Sequence, residues 1–338
     1  MKKTLSMIAG LCLAASLPLH AQEKMLNLYS ARHYQTDERL YDNFSKQTGI
    51  KINRIEGKED ELMERIRNEG ANSPADVFIT VDAARLAKAD ELGLFAPVRS
   101  KLLESRIPAQ LRAETWFAFS TRARAIIYNK REFTAADVAT YESLADPKFK
   151  GRVCSRSGAH PYNLSLVAAL IAHDGEAKTE EWARGIVANF ARAPKGGDTD
   201  QIKSVAAGEC GVAVSNSYYL ARLIRSDKVE ERRQMERVGI VWPNQNGYGA
   251  HINISGAGML KHAKNPEAAV KFLEYLASDE AQRYFADGNN EWPVVTGVVV
   301  ANPGLDAMGK FKPDNLAIAS IARNVANAQK LLDRAGYR

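Results

Sequence analysis

Short apolar runs alternate with amphipathic stretches along nearly the whole chain, and that alternation leaves few choices beyond an α/β fold with mostly parallel sheets. Leu26 to Ser30 reads as a strand, and Thr36 to Gln47 as a helix with Leu40, Tyr41 and Phe44 on one face. Lys51 to Ile55 and Ala75 to Val81 are further strands, separated by a helix marked by Leu62, Met63 and Ile66 and followed by one over Ala83 to Glu91. The run from Thr115 to Asn129 is long for one strand; it predicts either two strands or one that bends as it passes between domains. The units resume with strands at Arg152 to Ser155 and Gly211 to Ser215, and with helices from Tyr162, from Thr179, from Asp200 and near Ser217. Strands at Gly239 to Trp242 and Ala250 to Ser255 follow, then helices at Pro266, at Asp279 and from Ala317 to Ala335. At 338 residues the chain has room for two such lobes, each with its own core.

The N-terminus sets the compartment. Lys2 and Lys3 precede an apolar stretch from Met7 to Leu17, a breaker at Pro18 and a small residue at Ala21, the pattern of a secretory signal cut near Ala21. The stretch is too short to span a bilayer, and no stop-transfer pattern follows it. The formal charge of +6 loses two lysines with the leader, and the resulting +4 over two domains does not call for nucleic acid. Two cysteines stay in the mature chain, Cys154 and Cys210, each in a strand-like run. Two readings stand for them: a disulfide between neighbouring strands, or two buried free thiols.

Familiar catalytic motifs are missing. The chain has no Gly-x-Ser-x-Gly elbow, Ser-x-x-Lys, His-Glu-x-x-His, phosphate-binding Gly-x-x-x-x-Gly-Lys or Cys-x-x-Cys. In open α/β sheets ligands bind beyond the carboxyl ends of strands. Three predicted strand ends share one feature. Tyr34 follows the first strand, Tyr162 follows Ser155 by a short loop, and Tyr218 with Tyr219 follows Ser215. One tyrosine at a helix start is ordinary packing. Four at strand ends are harder to place that way, because Tyr218 and Tyr219 point about 100° apart on a helix and only one can enter the core.

Phenolate oxygen is a hard donor suited to a hard trivalent cation such as Fe³⁺, and three phenolates would balance its charge. His33 adds a nitrogen donor. Arg222 lies on the helical face of the tyrosine pair, placed either to stabilise phenolates or as a surface arginine. Arg122 and Arg124 project to one side of an alternating strand, and Arg122 is the preferred holder of a small anion such as carbonate.

The residues that carry a family resemblance are Tyr-Ser-Ala-Arg-His-Tyr-Gln-Thr-Asp at 29–37, Ser-Pro-Ala-Asp-Val-Phe-Ile-Thr-Val-Asp at 73–82, Ser-Thr-Arg-Ala-Arg-Ala-Ile-Ile-Tyr-Asn at 120–129, Gly-Gly-Asp-Thr-Asp-Gln at 196–201 and Ser-Tyr-Tyr-Leu-Ala-Arg at 217–222. With these the chain resembles the periplasmic ferric-iron-binding proteins of bacterial ABC transporters, which have a bilobal, transferrin-like α/β fold. The resemblance implies iron ligands at Tyr218 and Tyr219, at Tyr162 and Tyr34 as in the tyrosine-rich branch, and His33 as a further candidate. Where some members carry a glutamate ligand this chain has Val81, so more phenolates or a small anion would complete the coordination sphere. The expectation is therefore a monomeric, non-enzymatic periplasmic binding protein of the type II architecture that hands Fe³⁺ to an inner-membrane permease. Its N-lobe is expected at 22–120 plus about 246–295 and its C-lobe at about 121–245 plus 296–338. A receptor for a small organic or phosphonate anion and an exported hydrolase are the alternatives.

Overall fold

The computed structural model describes residues 24–32 and 34–338, so the expected leader at 1–21 and His33 lie outside the described residues. The chain opens with β1 (Met25–Ser30), α1 (Asp37–Thr48), β2 (Lys51–Glu56), α2 (Glu59–Glu69), β3 (Val77–Thr80), α3 (Ala83–Glu91) and α4 (Lys101–Arg106). A 13-residue strand, β4 (Phe117–Asn129), follows. The middle of the chain forms β5 (Val153–Cys154), α5 (Pro161–Asp174), α6 (Glu176–Ala188), α7 (Asp198–Ala207), β6 (Val212–Asn216), α8 (Ser217–Ile224), α9 (Val229–Met235) and β7 (Val238–Val241). The rest comprises β8 (Ile252–Met259), α10 (Pro266–Leu276), α11 (Asp279–Asn289), β9 (Trp292–Pro293), α12 (Pro303–Asp306) and α13 (Ile318–Ala335).

The molecule is bilobal, and β4 joins the lobes. Its first half, from Phe117 to Ala123, pairs with β8, while Arg124 to Asn129 pairs with β6 and β7. The long apolar run is therefore one strand shared by two sheets, with a register shift between Ala118 and Ser120. The strand order is β2-β1-β3-β8-β4-β6-β5, with β7 and β9 also on β4. The expectation of mostly parallel sheets is corrected here. Among the described strands only β1–β2, β1–β3 and β5–β6 pair in parallel, because β4 and β8 run against the strands beside them.

Local sequence explains most elements. Leu40, Tyr41 and Phe44 are buried on one face of α1, and Gly49 closes that helix in the left-handed conformation, its N–H donating to Ser45 O at 2.9 Å. Asp82 caps α3 by accepting from the Ala84 and Arg85 N–H groups. Helix α5 is buried continuously from Tyr162 to Ile171, as an all-round apolar helix must be. It is covered by α13, which also reaches α6 and α3. Cys154 and Cys210 form a disulfide with their Cα atoms 5.7 Å apart, which selects the first of the two readings of these cysteines.

Candidate functional site

Phenols reach the cleft at the ends of three strands. Tyr34 lies four residues past β1, Tyr162 is the second residue of α5, and Tyr218 and Tyr219 are the second and third residues of α8, directly after β6. Pro161 at the first position of α5 and His160 at its cap, whose Nδ1 accepts from the Tyr162 N–H at 3.2 Å, fix where the Tyr162 ring starts.

The four rings form one cluster with Tyr218 at its centre. The Tyr162 and Tyr218 hydroxyls are 3.1 Å apart. Tyr34, from the opposite lobe, meets Tyr218 edge-on with ring centroids 6.0 Å apart. Tyr219 lies against Tyr218 at 4.2 Å. Tyr162 and Tyr218 are buried, whereas Tyr34 and Tyr219 are half-buried and line a cleft of about 380 Å³ with Thr36, Arg222, Asn289 and Asn290. The pair Tyr218–Tyr219 thus divides between core and cleft, as the helical geometry requires.

Guanidinium groups face three of these rings. Arg32 lies 4.7 Å from the Tyr34 centroid, Arg156 5.0 Å from that of Tyr162 and Arg222 5.2 Å from that of Tyr219. Arg222 is exposed and also reaches Thr199 Oγ1 at 3.3 Å. Arg122 is fully buried. Its Nη1 donates to Ser255 Oγ at 2.8 Å and to Glu291 Oε1 at 3.5 Å, while its Nε and Nη2 have no protein acceptor. Arg124, on the same strand, is engaged by Asp198 at 2.7 Å and by Asn163 at 2.8 Å. Of the two strand arginines, Arg122 therefore keeps more free donors next to the phenols.

Glu291 ties the cluster to the protein interior. It accepts from the Tyr34 hydroxyl at 3.3 Å and from Ser120 Oγ at 2.7 Å, and both Arg32 and Arg122 approach it at 3.5 Å. Burial, then Glu291, raises the Tyr34 pKa well above that of a free phenol. Burial also raises Tyr162 and Tyr218, followed by the neighbouring tyrosines, while Arg122 works in the opposite direction on all three. Burial opposes the charge on Arg122, but the nearby negative groups, Glu291 first, outweigh it and its pKa lies above the ordinary guanidinium value. The phenols of Tyr34, Tyr162 and Tyr218 are consequently neutral at pH 7.

The structure brings the four tyrosines named from the sequence to one cluster with Arg122 and Arg222; Glu291, Arg32 and Arg156, which contact the same phenols, were not singled out in the sequence. Arg156 carried a local signal, since it follows β5 in the loop that leads to Tyr162. Val81 is buried and apolar and offers no donor. Among the described residues no three His, Cys, Asp or Glu side chains gather as a metal site, so a cation held here would depend chiefly on phenol oxygen.

Residues 39–312 match the model of the bacterial extracellular solute-binding proteins. The chain belongs to this family. Among its relatives, this solute-binding protein is 49% identical over 319 residues to iron uptake protein A1 of Synechocystis, covering 94% of this chain and 88% of that protein. Its fold matches that of the Trichodesmium protein IdiA (FutA), solved in complex with iron and citrate ligands, with a TM-score of 0.88 at 53% identity over 93% of this chain and 100% of the other. A ferric binding protein from Campylobacter jejuni superposes with a TM-score of 0.88 at 43% identity, covering 93% and 100%.

Proposed function

We propose that this solute-binding protein captures ferric iron between its lobes, using the phenolates of Tyr34, Tyr162, Tyr218 and Tyr219, with His33 as a further candidate donor. The observation that carries the reading is the convergence of four phenols from three strand ends, with two hydroxyls 3.1 Å apart. A trivalent cation is the ligand best able to deprotonate Tyr34, Tyr162 and Tyr218, which burial otherwise keeps neutral. Iron-binding relatives along nearly the full length of the chain support the same reading.

In this scheme one lobe, 22–120 plus about 246–295, brings Tyr34, and the other, about 121–245 plus 296–338, brings Tyr162 and the tyrosine pair. Closing about β4 and β8 assembles the donors, and the metal stabilises the closed state. Arg122 and Arg222 balance phenolate charge and would hold a small anion, carbonate or another carboxylate, if one shares the metal. The protein acts as a monomer in the periplasm, after cleavage near Ala21, and delivers the ion to an inner-membrane ABC permease; its role is binding rather than catalysis.

Competition with a chelator tests the ligand set. Tyr218→Phe and Tyr219→Phe each remove one oxygen and keep the ring, so both variants should fold and lose ferric affinity by at least about a hundredfold, equivalent to about 2.7 kcal/mol. Unchanged affinity in both would reduce the pair to packing residues.

A further inference from the structure

Helix α8 carries the tyrosine pair at its first turn and a second device at its other end. Arg225, at its C-terminal cap, extends its Nη1 to Asp287 O at 3.0 Å and to Asn290 Oδ1 at 2.7 Å. Both acceptors belong to the C-terminal end of α11, and α11 is a helix of the opposite lobe. It packs on α1 and α10, and its Glu280 accepts from Asn43 and Gln47 of α1. A guanidinium at a helix C-terminus meets carbonyls that have no partner within the helix, and it faces the negative end of the helix dipole.

The same end of α11 is held a second time. Asn302 is fully buried, caps α12 through its Oδ1 to the N–H groups of Gly304 and Leu305, and donates from Nδ2 to Ala286 O at 2.7 Å and Asn290 Oδ1 at 3.0 Å. Helix α12 lies directly on α8, so closely that a Cβ at Gly304 would stand 2.6 Å from Ala221 O. Arg225 and Asn302 thus converge on Asn290, which adopts a left-handed conformation with φ of 57°. The next residue, Glu291, accepts from the Tyr34 hydroxyl. A single turn of chain therefore receives Tyr34 on one side and the helix of Tyr218 and Tyr219 on the other.

We propose that Arg225 is a positioning residue that latches the closed state: its bonds to the end of α11 form only when α8 docks across the cleft, and they slow ferric release without contributing a ligand. The proposal rests on the ferric reading above. Arg225 is exposed and reaches main-chain and amide oxygens, so its removal leaves both lobe cores intact. Loss of a charge-assisted bond pair of this kind should accelerate release about five- to tenfold.

The test loads the full-length mature protein and its Arg225→Ala and Arg225→Lys variants with ferric ion. Release to excess EDTA is then followed by decay of the visible phenolate-to-iron band. The expected result is an unaltered band in all three proteins, release about five- to tenfold faster for R225A, and an intermediate rate for R225K, whose ammonium still reaches a helix end. Equal rates, a shifted band in R225A, or no recovery in R225K would overturn the latch while leaving the ferric reading in place. A wild-type protein that shows no band would overturn the ferric reading and the latch with it.

Discussion

Tyr218 touches each of the other three phenols or their rings, and its own hydroxyl is buried beside that of Tyr162. Behind the cluster, Glu291 is the one carboxylate shared by Arg32 and Arg122 among the described ion pairs. Glu291→Gln keeps the shape and removes the charge, which leaves Arg122 without a carboxylate partner. Urea unfolding of the metal-free protein should show a loss of about 2 kcal/mol. His251 offers a second test at this scale. It is buried with Nε2 at 3.0 Å from Ser165 Oγ, and burial first, then the charge of Arg124, pushes its pKa down to about 3. The folded state holds this imidazole neutral while the unfolded chain takes up a proton below about pH 6.5. Its contribution to stability is therefore complete above that pH and falls away as the pH drops toward 3. His251→Asn should lose less melting temperature than the wild type between pH 7 and pH 4.5; parallel losses would contradict this assignment.

At the scale of elements, the disulfide fastens β5 to the segment that enters β6, and the two strands lead to Tyr162 and Tyr218 respectively. It closes a loop with a sequence separation of 56, so Cys154→Ala with Cys210→Ala should lower stability by about 2–4 kcal/mol in denaturant unfolding. Gly256 lets β8 lie under α3: a Cβ there would collide with Leu86 and stand 3.0 Å from Phe117 O, so Gly256→Ala should destabilise by about 1–3 kcal/mol. The elements legible in the sequence are those whose apolar spacing is local, such as α1, β3, α5 and α8. The short helices α4, α9 and α12 and the two-residue β9 have too few residues to show a period. The double pairing of β4 was legible only as excess length, because β8 enters the sheet from more than a hundred residues away. The same reason separates the legible tyrosines from Glu291. A tyrosine at a strand end marks itself, whereas the Glu291 contact with Tyr34 joins residues 257 apart in sequence.

For the whole molecule, two lobes sharing crossing strands touch through Tyr34–Tyr218 and Arg225–Asn290, the arrangement from which hinge closure around a ligand is proposed. The proposed function turns on phenolate ligation of the metal, which would be directly visible as colour. Titration of the metal-free protein with ferric ion, followed by visible absorption, is the most direct test. The account predicts a red-to-purple phenolate-to-iron band that saturates at one equivalent of iron. A colourless mixture that retains no iron after gel filtration would contradict it.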